Sequence, residues 1–390
     1  MSFAILLWIT GCALAPRHPV PKESANSAHI PALSEARVMV DPSSTNALLA
    51  LAEVLEGFAP IGGAEGPIKV LALSGGGENG AYGAGLLCGW TEAGTRPQFD
   101  IVTGISTGSL IAPLAFLGSE FDGQLRQGYT ETEPGHIFIK RGFFGILKHR
   151  DALTDSKPLQ QLIEEMLGEK ELAAIAREHR KGRRLLVMTT NLDAQEPVIW
   201  NIGAIAVSGR PEALGLIRKI LLASSSIPVA FPPVMFEVEA GGHRYDELHV
   251  DGGVMAQVFG GALLLAEGWR PHANEPVEFY LIRNGSMGSE YEVTRRKLSA
   301  IAGRSISTMM RMQAQSDVLR AWMFSRLAGG SFHYVSIPDD FQEELSEPFD
   351  PKYMKALFDV GRQQGLHGIP WQQTPAGLSG VQWPGAAQDH

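Results

Sequence analysis

Three short stretches carry residues that could do chemistry. The first is Gly104-Ile105-Ser106-Thr107-Gly108, which follows the apolar run "FDIVTGIS" and precedes "LIAPLAFLG". A G-x-S-x-G bend between a strand and a helix holds its serine in a tight, strained turn with Oγ exposed, and the flanking glycines clear the space around it. Ser106 is therefore a candidate nucleophile. The second stretch, "LALSGGGENGAYGAG" (71–85), brings Gly75, Gly76 and Gly77 to the mouth of a helix. Bare backbone N–H groups in that position can hold a phosphate or the charge that develops on a carbonyl oxygen. The third is "LHVDGGV", where Asp251 ends an apolar run and Gly252 and Gly253 leave room around its carboxylate. A serine needs a base, and Asp251 is one candidate for it.

The glycine loop formally fits a dinucleotide fingerprint, Gly75-x-Gly77-x-x-Gly80. That fingerprint needs an acid at the carboxyl end of the next strand, where it meets the ribose. Asp100 lies 20 residues beyond Gly80 but precedes "IVTGIS", at the strand's entry. No Gly-Lys-Ser/Thr follows the loop either, so a nucleotide is not the expected ligand. The alternative base for Ser106 is a histidine later in the chain, following the Ser–Asp–His order of α/β-hydrolases: His272, His333 or His367. None of these stands at a glycine-flanked strand end. His249, two residues before Asp251, faces the same side of its strand and is expected to support the acid at most.

These residues require a frame that brings strand ends together. From Ile68 onward, short apolar runs alternate with helical stretches, the signature of an α/β sheet. Strands are predicted at "IKVLALS", "FDIVTGIS", "RRLLVMTTN", "PVIWNIG", "HRYDELHVDGG" and "VEFYLIRNG". Helices follow Asn79 and Ser106, so both turns fall at the carboxyl edge of neighbouring parallel strands, where open α/β folds bind ligands. Further helices are predicted over "DSKPLQQLIEEML", with Asp155 or Ser156 as cap, and over about 294–327, a surface helix with one apolar face. "DPSSTNALLALAEVLEGF" reads as a helix capped by Ser43, Ser44 or Thr45, burying Leu48, Leu51, Leu55 and Phe58. The organisation expected is 1–11 signal peptide, 12–40 linker, 41–66 helical extension, 67–366 catalytic domain and 367–390 loosely packed tail.

The bulk numbers agree with a folded enzyme. The chain has 390 residues, 44% of them hydrophobic and 19% charged, enough for one large core or two smaller ones. A net charge of −9 excludes a nucleic-acid footprint, which would need a basic excess. One basic stretch, "REHRKGRR" (177–184), reads as a solvated turn entering a strand rather than a patch for anionic lipid. Two cysteines cannot build a disulfide scaffold. Cys88 is expected as a small core residue. Ile9-Thr10-Gly11-Cys12 resembles the lipobox of bacterial lipoprotein signal peptides, which implies cleavage before Cys12, its acylation and a lipid-anchored place in the bacterial envelope, on the periplasmic side of the outer membrane. The apolar stretch before it is too short to span a bilayer, which takes about 20 residues, and no Lys or Arg precedes it. A cytoplasmic protein with a fortuitously apolar N-terminus is the other reading.

From about Ile68 to the region of Asn284 the chain resembles the patatin-like phospholipases. That family carries an oxyanion G-G-G-x-K/R-G, a G-x-S-x-G nucleophile and a D-G-G/A acid. Here these read Gly75-Gly76-Gly77-Glu78-Asn79-Gly80, Gly104 to Gly108 and Asp251-Gly252-Gly253, in the same order. "ASSSIPVAFPPV" (223–234) is similar to the family's Ala-Ser-x-x-x-Pro-x-x-Phe-Pro loop. The resemblance implies a three-layer α/β/α sandwich with a mostly parallel central sheet. It also implies a Ser106–Asp251 dyad that hydrolyses lipid acyl esters without metal or cofactor. Two departures stand out: Asn79 replaces the basic residue, and "VMAQVF" follows Asp-Gly-Gly where the family has Asn-x-Pro.

The leading expectation is a lipid acyl hydrolase of phospholipase A or lysophospholipase type, with a lipid or phospholipid substrate and contact with a membrane surface. Leu110, Ile111, Leu114, Ile227, Phe231 and Val234 could line an acyl channel or simply pack in the core. The other readings are a triad esterase on small soluble esters and a lipid-binding envelope protein without turnover.

Overall fold

The alternation of strands and helices is present in the computed structural model, which describes residues 17–41, 44, 46–62, 66–140, 142, 151–266, 276–289, 291–375, 377 and 378. Cys12, the 1–11 segment and His272 lie outside the described residues. The strands are β1 (Arg37–Met39), β2 (Ile68–Leu73), β3 (Ile101–Gly104), β4 (Ile139–Lys140), β5 (Thr154–Asp155), β6 (Arg184–Asn191), β7 (Glu196–Asn201), β8 (Val234–Ala240), β9 (His243–Asp251), β10 (Val277–Arg283) and β11 (Ser331–Ser336). The α-helices are α1 (Ala47–Glu53), α2 (Gly80–Glu92), α3 (Thr107–Leu117), α4 (Asp122–Thr130), α5 (Lys157–Met166), α6 (Glu169–Arg180), α7 (Ile202–Val207), α8 (Ala213–Ser224), α9 (Leu298–Leu327) and α10 (Pro351–His367).

A nine-stranded mixed sheet runs β1-β7-β6-β3-β2-β10-β11, with β9 joining β6 and β8 joining β9. The core of this sheet, β6-β3-β2-β10-β11, is parallel. The β6 strand is buried at every position, as a central strand covered on both faces should be. One face packs under α2, α3 and their neighbours around Leu86, Phe116 and Trp200. The other packs under α1 and α9 around Phe279, Val318 and Trp322. The result is the three-layer α/β/α sandwich.

The way β6 shares one flank between two partners brings the chemistry together. Its first half pairs with β3, Val187 opposite Gly104. Its second half pairs on that flank with β9, Thr189 opposite Asp251. Two residues along a strand is roughly 6.6 Å. The turn that leaves β3 and the acid that ends β9 are thereby neighbours, although they are far apart in the chain.

Several sequence expectations differ in detail. Over its described part, the 12–40 linker is docked: Pro19 and His29 bridge to Asp246 and Glu239, and β1 joins the sheet beside β7. The buried Arg37 guanidinium pairs with the buried Glu247, and that pair fixes the segment. The predicted first helix is only seven residues long and starts after Asn46, without a side-chain cap. Ser44 instead accepts the Asn46 N–H at 3.1 Å. Leu51, Leu55 and Phe58 are buried there, but Leu48 is exposed. In the tail, Trp371 packs on Trp90 and Tyr280, and Gln372 bonds Tyr334, so the first tail residues belong to the fold. Strands β1, β4, β5, β8 and β11 fall outside the strands predicted from sequence. The "REHRKGRR" stretch is not a solvated turn: Arg177–Arg180 close α6, only Lys181 and Gly182 form the turn, and Arg183 and Arg184 are buried, Arg183 on the Phe116 ring and donating to the Phe99 carbonyl. Cys88 is buried as expected.

Candidate active site

Ser106 sits between β3 and α3 with φ 54° and ψ −128°. A non-glycine residue held there stores about 1–3 kcal/mol of strain. Surrounding hydrogen bonds hold it in place. The Ser106 N–H donates to Ser224 Oγ at 3.1 Å, and Ser224 Oγ–H donates on to the Met188 carbonyl at 2.8 Å. The Ser106 carbonyl accepts from Ser109 Oγ at 2.6 Å and from Ser225 Oγ at 3.3 Å. Close packing does the rest: a Cβ on Gly108 would strike the Leu73 and Ser74 carbonyl oxygens, so only glycine lets α3 start against the end of β2. Gly80 and Gly104 lie in the same contact, against Thr107 and Gly108.

Asp251 is buried and lines the same groove as Ser106. Its backbone N–H donates to the Ser226 carbonyl at 2.9 Å, and its Oδ1 accepts the Gly253 N–H at 2.7 Å. Burial pushes its carboxyl up to about 7, against the smaller opposing effects of the nearby Ser106 hydroxyl and the Gly253 N–H. An exposed aspartate near 3.9 would be a weak base; this one is poised near neutrality. Consecutive serines from "ASSS" thus hold both candidate residues, Ser224 and Ser225 bonding Ser106 and Ser226 bonding Asp251. The sequence reading recognised that loop but assigned its serines no role.

The glycine loop divides its labour. Gly75 was expected as an oxyanion donor, but its N–H is taken by the Gln257 carbonyl at 3.0 Å. The N–H groups of Gly76 and Gly77 have no acceptor among the described residues, and both glycines line the groove beside Ser106 and Asp251. Gly76 has φ 157°, and a Cβ there would collide with the Asn284 carbonyl. Behind the loop, Arg283 Nη1 donates to the Gly75 carbonyl at 2.8 Å and to Ser74 Oγ at 3.1 Å. In a planar trans peptide the C=O and the next N–H point oppositely. Holding the Gly75 carbonyl from behind therefore aims the Gly76 N–H forward. Burial lowers the Arg283 guanidinium to about 10, which leaves it charged at neutral pH. The loop that lacks a basic residue at position 79 thus has a cation from β10 behind its Gly75 carbonyl. Asn79 itself accepts from Tyr353 Oη at 2.7 Å and ties α10 to the loop.

In the altered sequence after Asp-Gly-Gly, Gln257 joins three elements. Its Nε2 donates to the Gly253 carbonyl at 2.8 Å, and its own N–H donates to the buried Asp317 of α9 at 2.6 Å. Loop, acid and α9 are thereby joined. Gly252 packs against the Met188 carbonyl.

Neither described histidine reaches this place. His333 stacks on Tyr280 in β10, and His367 ends α10. His249 is buried, bonded to Thr189 Oγ1 at 2.8 Å and Glu247 at 3.0 Å, and so braces β9. Asp100 accepts the Ile61 and Lys69 N–H groups at 2.7 and 2.8 Å, at the sheet edge away from the loop.

A groove of about 400 Å³ opens over Ser106 and Asp251, with Val229, Val254, Ile306 and Met309 at its walls. From Ser106 a tight apolar channel of about 40 Å³ runs between Leu110, Tyr129, Leu162, Met166, Ile227 and Phe231. Leu114 lines a small void beyond it, whereas Ile111 and Val234 pack in the core. No group of three or more His, Cys, Asp or Glu suited to a metal is found among the described residues.

Residues 71–259 match the family model described as patatin-like phospholipase. A "cGAMP-activated phospholipase" of Vibrio cholerae is 27% identical over 265 residues, 61% of this chain and 68% of that protein. A "cUMP-AMP-activated phospholipase" of Escherichia coli is 30% identical over 145 residues, 36% of this chain and 40% of that protein. The chain thus spans only part of the length of both relatives. Human GIVD cytosolic phospholipase A2 is 12% identical with a TM-score of 0.35, covering 84% of this chain and 55% of its own, too loose a likeness to carry an inference.

Proposed function

We propose, from the premise that residues 71–259 form a patatin-like phospholipase domain, that this chain cleaves fatty-acyl esters of phospholipids or other lipids with Ser106 as nucleophile and Asp251 as base. The observation that carries this reading is the pair itself: a strained serine at a strand end that shares one groove with a buried carboxyl poised near pH 7. Asp251 takes the Ser106 proton as Oγ attacks the ester carbonyl. The Gly76 and Gly77 N–H groups receive the oxyanion, and the protonated Asp251 gives its proton to the departing alcohol oxygen. A water then attacks the acyl-enzyme with Asp251 again as base, releasing the fatty acid and restoring Ser106. The departing alcohol, which carries any headgroup, sits in the open groove, and the tight apolar channel beside Ser106 takes the first carbons of the acyl chain.

The test is covalent labelling with a fluorophosphonate probe, set beside Ser106→Ala. Labelling of the parent and not of the variant, together with fatty-acid release from a panel of diacyl phospholipid, lysophospholipid and triacylglycerol, is the expected result. A folded parent that takes no label refutes the enzyme. The lipid-anchored envelope location rests on the Ile9-Thr10-Gly11-Cys12 sequence alone, and mass spectrometry of the mature N-terminus decides it.

A further inference from the structure

We infer that the outward face of α9, together with the rim of the groove, is a docking surface for a bilayer bearing anionic headgroups. This rests on the lipid-hydrolase reading for its purpose, but the observations are independent of it.

The sequence predicts one apolar face on this helix, and the structure has two. Ala314, Val318, Ala321 and Trp322 are buried against the sheet. On the opposite side Leu298, Ile301, Met309, Met312, Leu319 and Met323 form an exposed stripe at helical spacing, with Leu298 87% and Met309 70% exposed. Most of the first three turns stand clear of the body of the protein. The stripe is continuous with the site, because Met309 also lines the groove that holds Ser106. Across the mouth, Val229 (64% exposed) and Val254 (43% exposed) present apolar side chains from the proline loop and the turn after Asp251. A contiguous apolar rim around an active-site mouth is the kind of exposed patch that marks an interaction surface.

Charge identifies the partner. Between Glu292 and Asp317 the chain carries Arg295, Arg296, Lys297, Arg304 and Arg311 and no acid, in a protein of net charge −9. Arg295, Arg296 and Lys297 are exposed at the start of α9. Apolar residues flanked by cations are what an interfacial helix offers to anionic lipid. No helix among the described residues is long and apolar enough to cross a membrane, so α9 would lie on the bilayer. Docking there sets the groove against the lipid, and Asp317 ties the helix to Gln257 and through it to the Gly75 loop.

The experiment uses the Ser106→Ala protein, which leaves vesicles intact, in flotation with phosphatidylglycerol or phosphatidylcholine vesicles. Ile301→Glu with Met312→Glu, neither of which lines the groove, is expected to lower binding to phosphatidylglycerol at least tenfold. Arg295→Gln, Arg296→Gln and Lys297→Gln together remove three cations, each contributing roughly fivefold at an anionic surface, so binding falls about 100-fold at low salt. Phosphatidylcholine binding should respond little to the charge variant. The same surface changes with Ser106 intact should leave hydrolysis of a short soluble ester within about twofold. Equal flotation of the stripe variant overturns the proposal, as does failure of the parent surface to float. A dimer in solution that the stripe variant converts to monomer, with vesicle binding unchanged, assigns the face to a second copy and also overturns it. If no soluble ester is hydrolysed by any protein with Ser106, the hydrolase reading fails while flotation still reports on the surface.

Discussion

Replacing Asp251 by Asn should sharply lower activity and at the same time stabilise the fold, by an amount that depends on pH. The carboxyl titrates from 3.8 in the unfolded chain and near 7 in the folded one, because burial disfavours its charge. Between those values the folded protein keeps a proton that the unfolded chain has released, so this group's contribution to stability falls as pH rises. Below about pH 4 both states are protonated and nothing is lost. Above about pH 7 both are ionised, and the folded state bears the full cost of the buried charge, about three pH units at about 1.4 kcal/mol each, or about 4 kcal/mol. Asparagine has the same shape, stays neutral throughout, and its amide oxygen can still accept the Gly253 N–H that Oδ1 now receives. Urea midpoints of parent and Asp251→Asn, measured side by side at pH 5 and pH 8, give the comparison. The variant is expected to gain about 2–4 kcal/mol over the parent at pH 8 and clearly less at pH 5, while turnover at pH 8 falls about 10²–10⁴-fold, the range for losing a general base. A stability difference that does not change with pH, or a variant less stable than the parent at pH 8, refutes the claim that burial tunes this carboxyl.

Four further outcomes follow from the same geometry. With Asp251 required as the ionised base, kcat/KM should rise with pH along an acidic limb centred near pH 7; a limb near pH 4 would mean a solvated carboxylate. Arg283→Met removes the donor behind the Gly75 carbonyl, so kcat should drop about 10–100-fold with KM little changed, less than the about 10²–10³ for losing an oxyanion donor outright; a change in KM alone would assign Arg283 to binding. Ser224→Ala leaves the buried Ser106 N–H without its acceptor and should cost about 1–3 kcal/mol in chemical denaturation. Leu162→Ala with Met166→Ala widens the channel beside Ser106, and preference for an eight-carbon over a four-carbon ester should rise several-fold, since each methylene buried is worth about 0.8 kcal/mol.

Much of the site was legible because local chemistry leaves local marks. Ser106 between Gly104 and Gly108 declares a close-packed strand-to-helix turn, and Asp251 before Gly252-Gly253 declares a strand end; the structure puts both where those marks imply. Strands β2, β3, β6, β7, β9 and β10 were visible as apolar runs. The β1 strand was not, since three residues after a stretch rich in proline and serine show no period; the Arg37–Glu247 pair that docks it joins residues 210 apart. The split of the Gly75 to Gly77 loop was invisible for the same reason. Three adjacent glycines look equivalent until Gln257 takes one N–H and Arg283 holds one carbonyl. The two apolar faces of α9 were read as one, because periodicity shows that a stripe exists and not whether anything covers it.

Sequence alone determined which groups were available: a serine in a strained turn, glycines with bare N–H groups, an aspartate with room beside it. Those depend on backbone preferences and side-chain size over a few residues. Tertiary structure decided how they would behave. The sharing of one β6 flank between β3 and β9 brought Asp251 to Ser106, and burial at that junction moved the carboxyl to about 7. A cation behind the glycine loop came from Arg283 on another strand. Distances and desolvation arise only when remote segments meet, and it is on these that the roles proposed for Ser106 and Asp251 rest.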